Sequence, residues 1–298
     1  MSSDLGVFAI LIVNIMPNVL SAIKAIVENI QIFSIVANED GVQNRSNQMG
    51  DALEDFVKNA FADCLGVVDR RVINRNRSNT FSYLGNSNNP PDAMLLEGDA
   101  IEIKKIASLG TSQLQLNSSY PKKKLFSNNP KICRACKDSE EWSEKDMLYV
   151  IGQVSGTELQ NIFFIYGDLY CDTHEVYENV ENVIKEGLES LEGVELAETS
   201  ELGRVNKVDH LEISDLGVRG MWLIKSPFQQ FAYLTEDITD YTFKLVALIS
   251  EDKYNSFDNI EEFENFCNNN GVEITDEKIP NPQNPANQID AKLIVYCC

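Results

Sequence analysis

Apolar positions recur at helical spacing near the N-terminus and in strand-length runs through most of the remaining chain. Residues 16–37 are apolar at helical spacing and predict one or two helices, followed by a polar loop over residues 38–47. Across residues 47–65, Met49, Leu53, Phe56, Val57, Ala60 and Phe61 fall on one stripe. An amphipathic helix is expected there, with Glu54 at the edge of the stripe and Asp51 pointing away. Residues 70–89 are rich in Arg and Asn and show little apolar periodicity, and residues 108–137 are polar and basic. A short helix is expected over residues 138–145. The apolar runs at residues 147–154 and 161–166 have the length of buried central strands. Beyond them the pattern predicts a helix at 178–191, strands at 218–225 and 242–250, and a short acidic helix at 258–268. A Pro-rich loop at 279–285 and a terminal strand at 291–296 complete the chain. This alternation predicts an α/β fold, a mixed central β-sheet flanked by helices, as one domain over residues 1–298 with no clean internal boundary.

Residues 91–104 carry the most chemistry. They run Pro-Asp-Ala-Met-Leu-Leu-Glu-Gly-Asp-Ala-Ile-Glu-Ile-Lys, two apolar runs joined by the turn signal Glu97-Gly98-Asp99. Strand side chains alternate faces, so Glu102 and Lys104 share one face while Ile101 and Ile103 take the core face. Lys105 points away from Glu102 and is left to contact phosphate or pair with an acid. Folding about the turn brings Asp92 opposite residues 102–104. Two carboxylates and an ammonium then meet at one spot, as metal-dependent phosphodiester cleavage requires. Oxygen ligands hold Mg²⁺, which activates water and offsets phosphate charge, and a Lys orients the attacking water. Asp92, Glu102, the carbonyl of Ile103 and Glu54 are the candidate ligands, and Lys104, its pKa depressed beside the cation, is the candidate water-activating group.

The overall charge of −21 looks wrong for a nucleic-acid binder, yet its distribution does not. From Arg70 to Lys137 there are twelve Lys or Arg against four Asp or Glu, a local charge of +8, so the rest of the chain carries −29. All four acids of this window lie in the hairpin, which is the footprint of a positive cradle around an acidic metal site. Candidate DNA contacts are Arg70, Arg71, Arg75, Arg77, Lys105, Ser118, Ser119, Lys122, Lys123 and Lys124, with Arg204 and Arg219 further along. Arg75, Arg77, Arg204 and Arg219 are the candidates for reading base edges.

The seven cysteines are odd in number and scattered, so Cys133 and Cys136 are expected to be unpaired thiols rather than a zinc pair. Residues 5–13 are apolar but too short to span a membrane, and no basic segment precedes them. A cytoplasmic, non-membrane protein is expected. There is no Gly-x-x-x-x-Gly-Lys-Ser/Thr, Gly-x-Gly-x-x-Gly, Gly-x-Ser-x-Gly or His-Glu-x-x-His sequence.

The hairpin resembles the PD-(D/E)xK nuclease superfamily, with Pro91-Asp92 and Glu102-Ile103-Lys104 in the motif positions. A longer resemblance runs from about residue 45 onward. The segments RSNQMGDALEDFVK (45–58), FSYLGNSNNPPDAML (81–95), GDAIEIKKI (98–106), LNSSYPKKKL (116–125), KDMLYVIG (145–152), ETSELGRVN (198–206) and VRGMW (218–222) resemble the NgoPII family of type II restriction endonucleases. The resemblance implies a restriction-endonuclease-like core over about residues 45–170, with residues 1–15 as an extension that has no family counterpart. It further implies Mg²⁺-dependent cleavage of double-stranded DNA at GGCC and a methyltransferase that protects host DNA. Cleavage of a palindrome implies a homodimer. The residues alone leave other readings open: a repair or recombination nuclease built on the same hairpin, a non-enzymatic acidic binding protein, or a hydrolase using Cys171 and His174.

Overall fold

The computed structural model describes residues 16–29, 45–116, 119–190, 195–196 and 203–298. The expected extension at 1–15, the second half of the 16–37 stretch, most of the 38–47 loop and Ser118 lie outside the described residues.

Helix α1 (Val19–Glu28) starts at Asn18, whose side chain accepts from the N–H groups of Leu20 and Ser21. Helix α2 (Arg45–Phe61) follows the expected stripe, with Leu53, Val57, Ala60 and Phe61 buried. The Arg- and Asn-rich segment folds as α3 (Arg70–Thr80), capped by Asp69 through the N–H of Arg71. Its polar composition hides the helix, because one short inward row suffices once it lies on α2.

Strands β1 (Phe81–Tyr83), β2 (Ala93–Leu95) and β3 (Ala100–Ile106) contain the hairpin. The basic segment beyond it holds β4 (Gln113–Leu116), β5 (Lys124–Phe126) and the single turn of α4 (Arg134–Lys137). The helix expected over residues 138–145 is absent. Strand β6 (Glu144–Ser155) begins there instead, because β3, β5 and β7 (Glu158–Tyr166) all pair with it. Then come α5 (Gly167–Tyr170), α6 (His174–Glu189), β8 (Glu195–Leu196) and β9 (Gly203–Asn206). The strand expected at residues 218–225 is two strands, β10 (Leu216–Val218) and β11 (Trp222–Lys225), split around Gly220 and pairing with β9 and β4 respectively. After α7 (Pro227–Gln230) the chain enters β12 (Lys244–Ser250), α8 (Glu251–Tyr254) and α9 (Ile260–Asn270). The expected loop at 279–285 shrinks to a turn between β13 (Glu273–Asn281) and β14 (Asn284–Cys297). Pro280 is accommodated because β13 is the edge strand, where a missing N–H breaks no ladder bond.

Among the described residues, nine strands form one mixed sheet in the order β1-β2-β3-β6-β7-β12-β14-β13, with β5 added beside β6. The β3–β6 and β7–β12 pairs are parallel and the others antiparallel. One face, with Ile101, Ile103, Leu148, Val150 and Phe164, packs under α1, α2 and α9. The other face, with Met147, Tyr149, Ile151 and Phe163, packs against β4, β11 and Phe231. Gly152 lets α2 lie close to β6, since a Cβ there would stand 2.7 Å from a Leu53 methyl. No helix among the described residues is long and apolar enough to cross a membrane.

Candidate active site

Strands β2 and β3 share only two paired positions, Ala93 with Ile101 and Met94 with Ala100. The Asp92 N–H still donates to the Ile101 carbonyl at 3.0 Å. One residue further out stands Pro91. There the Ile103 N–H donates instead to Asp92 Oδ2, at 2.6 Å. A side-chain carboxylate replaces a ladder bond and is thereby fixed at the free edge of β3. The chain behind it demands a glycine. Gly85 has φ +80°, and a Cβ there would stand 2.3 Å from the Asp92 carbonyl oxygen.

Glu102 and Lys104 lie on the face opposite the buried Ile101 and Ile103, as alternation requires. Lys104 Nζ is 2.6 Å from Glu102 Oε1 and 3.6 Å from Asp92 Oδ2, and it donates to the Ile103 carbonyl at 3.2 Å. Burial raises the pKa of Asp92 to about 7, Glu102 and Glu54 reinforce the rise, and Lys104 opposes it. Burial disfavours the Lys104 ammonium, but Glu102 and Asp92 outweigh it and hold its pKa above the usual value. The depressed Lys104 expected from sequence presupposed a neighbouring cation. With carboxylates as its neighbours the direction is upward.

These groups open onto a cavity of about 700 Å³. Its walls come from Gly50, Asp51 and Glu54 of α2, the loop 86–90, Gln115 and Leu116 of β4, Ser119, Tyr120, Lys122, and Met147 and Tyr149 of β6. Glu54 therefore stands at the cavity, where it pairs with Lys58 at 3.1 Å. Lys58 in turn donates to the Leu84 carbonyl, tying α2 to the chain just before the hairpin. Asp51 is exposed, away from the buried stripe as expected, and it also lines the cavity, three residues before Glu54 and close to one helical turn from it. Lys105 lines it too, beside Lys104, where β3 has run past its β2 partner. The loop 86–90, Tyr120 and Tyr149 carried no sequence signal. Tyr149 sits in register with Glu102, a relation set by strand pairing alone.

The candidate DNA contacts separate. Ser119 and Lys122 line the cavity, and Lys122 is buried rather than displayed on a solvated loop. Lys123 and Lys124 line a separate hollow with Asp146 and Lys253, and Lys124 pairs with Glu144 at 2.6 Å. Arg70, Arg71 and Arg75 are exposed on α3. Arg77 is committed inward, donating to Asn59 Oδ1 at 3.0 Å and to Asp55 Oδ1 at 3.0 Å. Arg204 pairs with Asp215 at 3.2 Å, and Arg219 is exposed beside β10; neither lines the cavity. All seven cysteines are free. Burial pushes the Cys171 thiol up to about 12, which leaves no reactive thiolate next to His174.

Residues 17–280 match the family model described as NgoPII restriction endonuclease. The chain is also similar to the type II restriction enzyme NgoPII of Neisseria gonorrhoeae, at 44% identity over 254 residues, 85% of this chain and 90% of that relative. No solved structure matches.

Proposed function

The chain belongs to the NgoPII family of type II restriction endonucleases, and on that premise we propose that Asp92, Glu102 and Lys104 form its Mg²⁺-dependent catalytic centre and that it cuts DNA at GGCC. The observation that carries this reading is the convergence of Glu102 Oε1, Asp92 Oδ2 and the Ile103 carbonyl on the Lys104 ammonium. Three oxygens already grip one cation, and an all-oxygen donor set suits a hard divalent ion. Among the described residues no cluster of three or more Asp, Glu, His or Cys stands ready to hold a metal. Mg²⁺ needs none, because it keeps several waters and is commonly held by one or two carboxylates. Asp92, Glu102 and the Ile103 carbonyl would hold it, with Glu54 contributing through water.

When bound, the ion offsets phosphate charge and acidifies a water molecule. Lys104, kept as an ammonium by Glu102 and Asp92, would orient the attacking water, whose proton would pass to solvent. Attack at phosphorus breaks the bond to the 3′ oxygen, which takes a proton from solvent, leaving 5′-phosphate and 3′-hydroxyl ends. The exposed Arg70, Arg71 and Arg75 on α3 contact the DNA backbone. GGCC specificity rests on the family resemblance, and a palindromic site fits a two-fold homodimer in which each protomer cuts one strand. A protective methyltransferase is the functional partner, and the cytoplasm is the compartment.

Digestion of unmethylated plasmid DNA with Mg²⁺ or with EDTA tests the reading. Discrete Mg²⁺-dependent fragments ending at GGCC are expected. Fragments ending elsewhere would overturn the specificity, and intact plasmid with folded protein would overturn the activity.

A further inference from the structure

Lys122 is the exception among the lysines of the basic segment. Its neighbours Lys123 and Lys124 are partly exposed, whereas Lys122 is 4% exposed and stands on the cavity wall. An ammonium has three N–H donors. Here one is taken by the Tyr120 carbonyl at 3.1 Å, and the nitrogen lies 4.8 Å from the centre of the Tyr120 ring. No carboxylate among the described residues comes within ion-pairing distance of it. Burial accordingly pulls its pKa down to about 8, and the more distant Glu102 only partly restores it.

A buried charge without a partner opposes folding. The surrounding structure nevertheless holds the backbone of this residue firmly. The Lys122 N–H donates to Tyr149 Oη at 2.6 Å, and the same hydroxyl donates back to the Lys122 carbonyl at 3.2 Å. Gly167 closes over that carbonyl, where a Cβ would stand 2.4 Å from the oxygen. Tyr149 is the register partner of Glu102 across β3 and β6. Strand pairing joins Glu102 to Tyr149, and the Tyr149 hydroxyl joins the Lys122 backbone, so Lys122 brings a second cation to the cavity lined by Asp92 and Lys104.

A buried cation at the catalytic cavity, held only by the Tyr120 carbonyl and ring, lacks an anion, and the anion of this reaction is the phosphodiester. We propose that Lys122 contacts the scissile phosphate directly and stabilises the charge that builds on its non-bridging oxygens, a role separate from that of Lys104 on the water. This rests on the nuclease reading above. It distinguishes Lys122 from the exposed arginines of α3, whose contacts are with flanking phosphates.

The test compares wild-type protein with Lys122→Met, which keeps the length of the side chain and removes the charge; Lys122→Gln serves if the Met variant does not fold. Single-turnover cleavage of a GGCC duplex with Mg²⁺ is expected to slow by roughly 10²-fold, as for loss of one transition-state charge contact. The melting temperature is expected to hold or rise, because an uncompensated buried charge has gone. Binding, measured in EDTA, is then compared for a duplex with a normal scissile phosphate and one carrying a neutral methylphosphonate there. Neutralising that phosphate should weaken the wild type at least about fivefold more than the variant, since coupled partners do not add. Equal losses in the two proteins, or cleavage by the variant within about threefold of wild type, would overturn the assignment. A melting temperature lowered by several degrees in both variants would make Lys122 structural. If the wild type itself does not cut with Mg²⁺, the nuclease reading fails first, and that result is distinguishable from failure of the Lys122 assignment alone.

Discussion

The Ile103 N–H donates to Asp92 Oδ2 at 2.6 Å, so the carboxylate of one hairpin strand completes the backbone ladder of the other. That bond makes the position of Asp92 a property of the sheet and not of a free rotamer. It also explains why Pro91 stands where it does. A proline cannot donate to β3, and its fixed φ presents the next residue for this substitution. Pre-positioning of this kind is what a metal ligand needs, because a ligand that must be ordered on binding loses affinity.

Asp92 sets the expected pH dependence. Its folded-state pKa of about 7 is raised from 3.8, so the usual sign for a carboxylate is reversed. Below 3.8 both the folded and the unfolded chain hold the proton; between 3.8 and about 7 the unfolded chain ionises first, so this group removes stability as pH rises, and the loss is complete above about 7. On the proposed assignment Mg²⁺ would bind the ionised form. Its half-saturating concentration for cleavage should therefore fall about tenfold per pH unit up to about pH 7 and level off above. Thermal stabilisation by Mg²⁺ should grow over the same range. A Mg²⁺ requirement that is flat across this range would contradict the assignment.

Gly85→Ala should disable the site from a distance. The added Cβ would meet the Asp92 carbonyl at 2.3 Å, at a φ of +80° that side chains avoid. A loss of roughly 1–3 kcal/mol of stability is expected for such strain. Cleavage should fall further than stability does, because Asp92 itself is displaced. A variant with wild-type melting and wild-type cleavage would show that the contact relaxes freely.

Arg77 and Arg75 lie two residues apart on α3 and should behave oppositely. Arg77 clamps α3 to Asp55 and Asn59 of α2, so Arg77→Ala should lower stability by about 1 kcal/mol and leave the salt dependence of DNA binding unchanged. Arg75 is exposed, so Arg75→Ala should leave melting unchanged and reduce the slope of log K against log salt by about 1. Thermal melts and binding titrations at several salt concentrations separate the two. A reduced slope in Arg77→Ala would place that side chain on DNA.

What was legible in the sequence was mostly local. The turn at Glu97-Gly98, the alternation that sends Ile101 and Ile103 to the core, and the apolar stripe of α2 are short-range patterns, and the structure follows them. What was hidden depended on distant partners. α3 has too few apolar residues to announce itself until α2 supplies its packing surface. β13 continues through Pro280 only because it is an edge strand. Lys122-Lys123-Lys124 reads as one basic run of candidate DNA contacts, and Tyr149 and Gly167, far along the chain, pack on its first member and set it apart.

The central claim is that Asp92 and Lys104 perform metal-dependent DNA cleavage. It is tested most directly by single-turnover cleavage of a GGCC duplex by wild type, Asp92→Ala and Lys104→Ala, with binding measured separately in Ca²⁺. The account predicts Mg²⁺-dependent cutting by the wild type, a rate lower by roughly 10³-fold or more in each variant, and specific binding by both. Cleavage at the wild-type rate by either folded variant would contradict it.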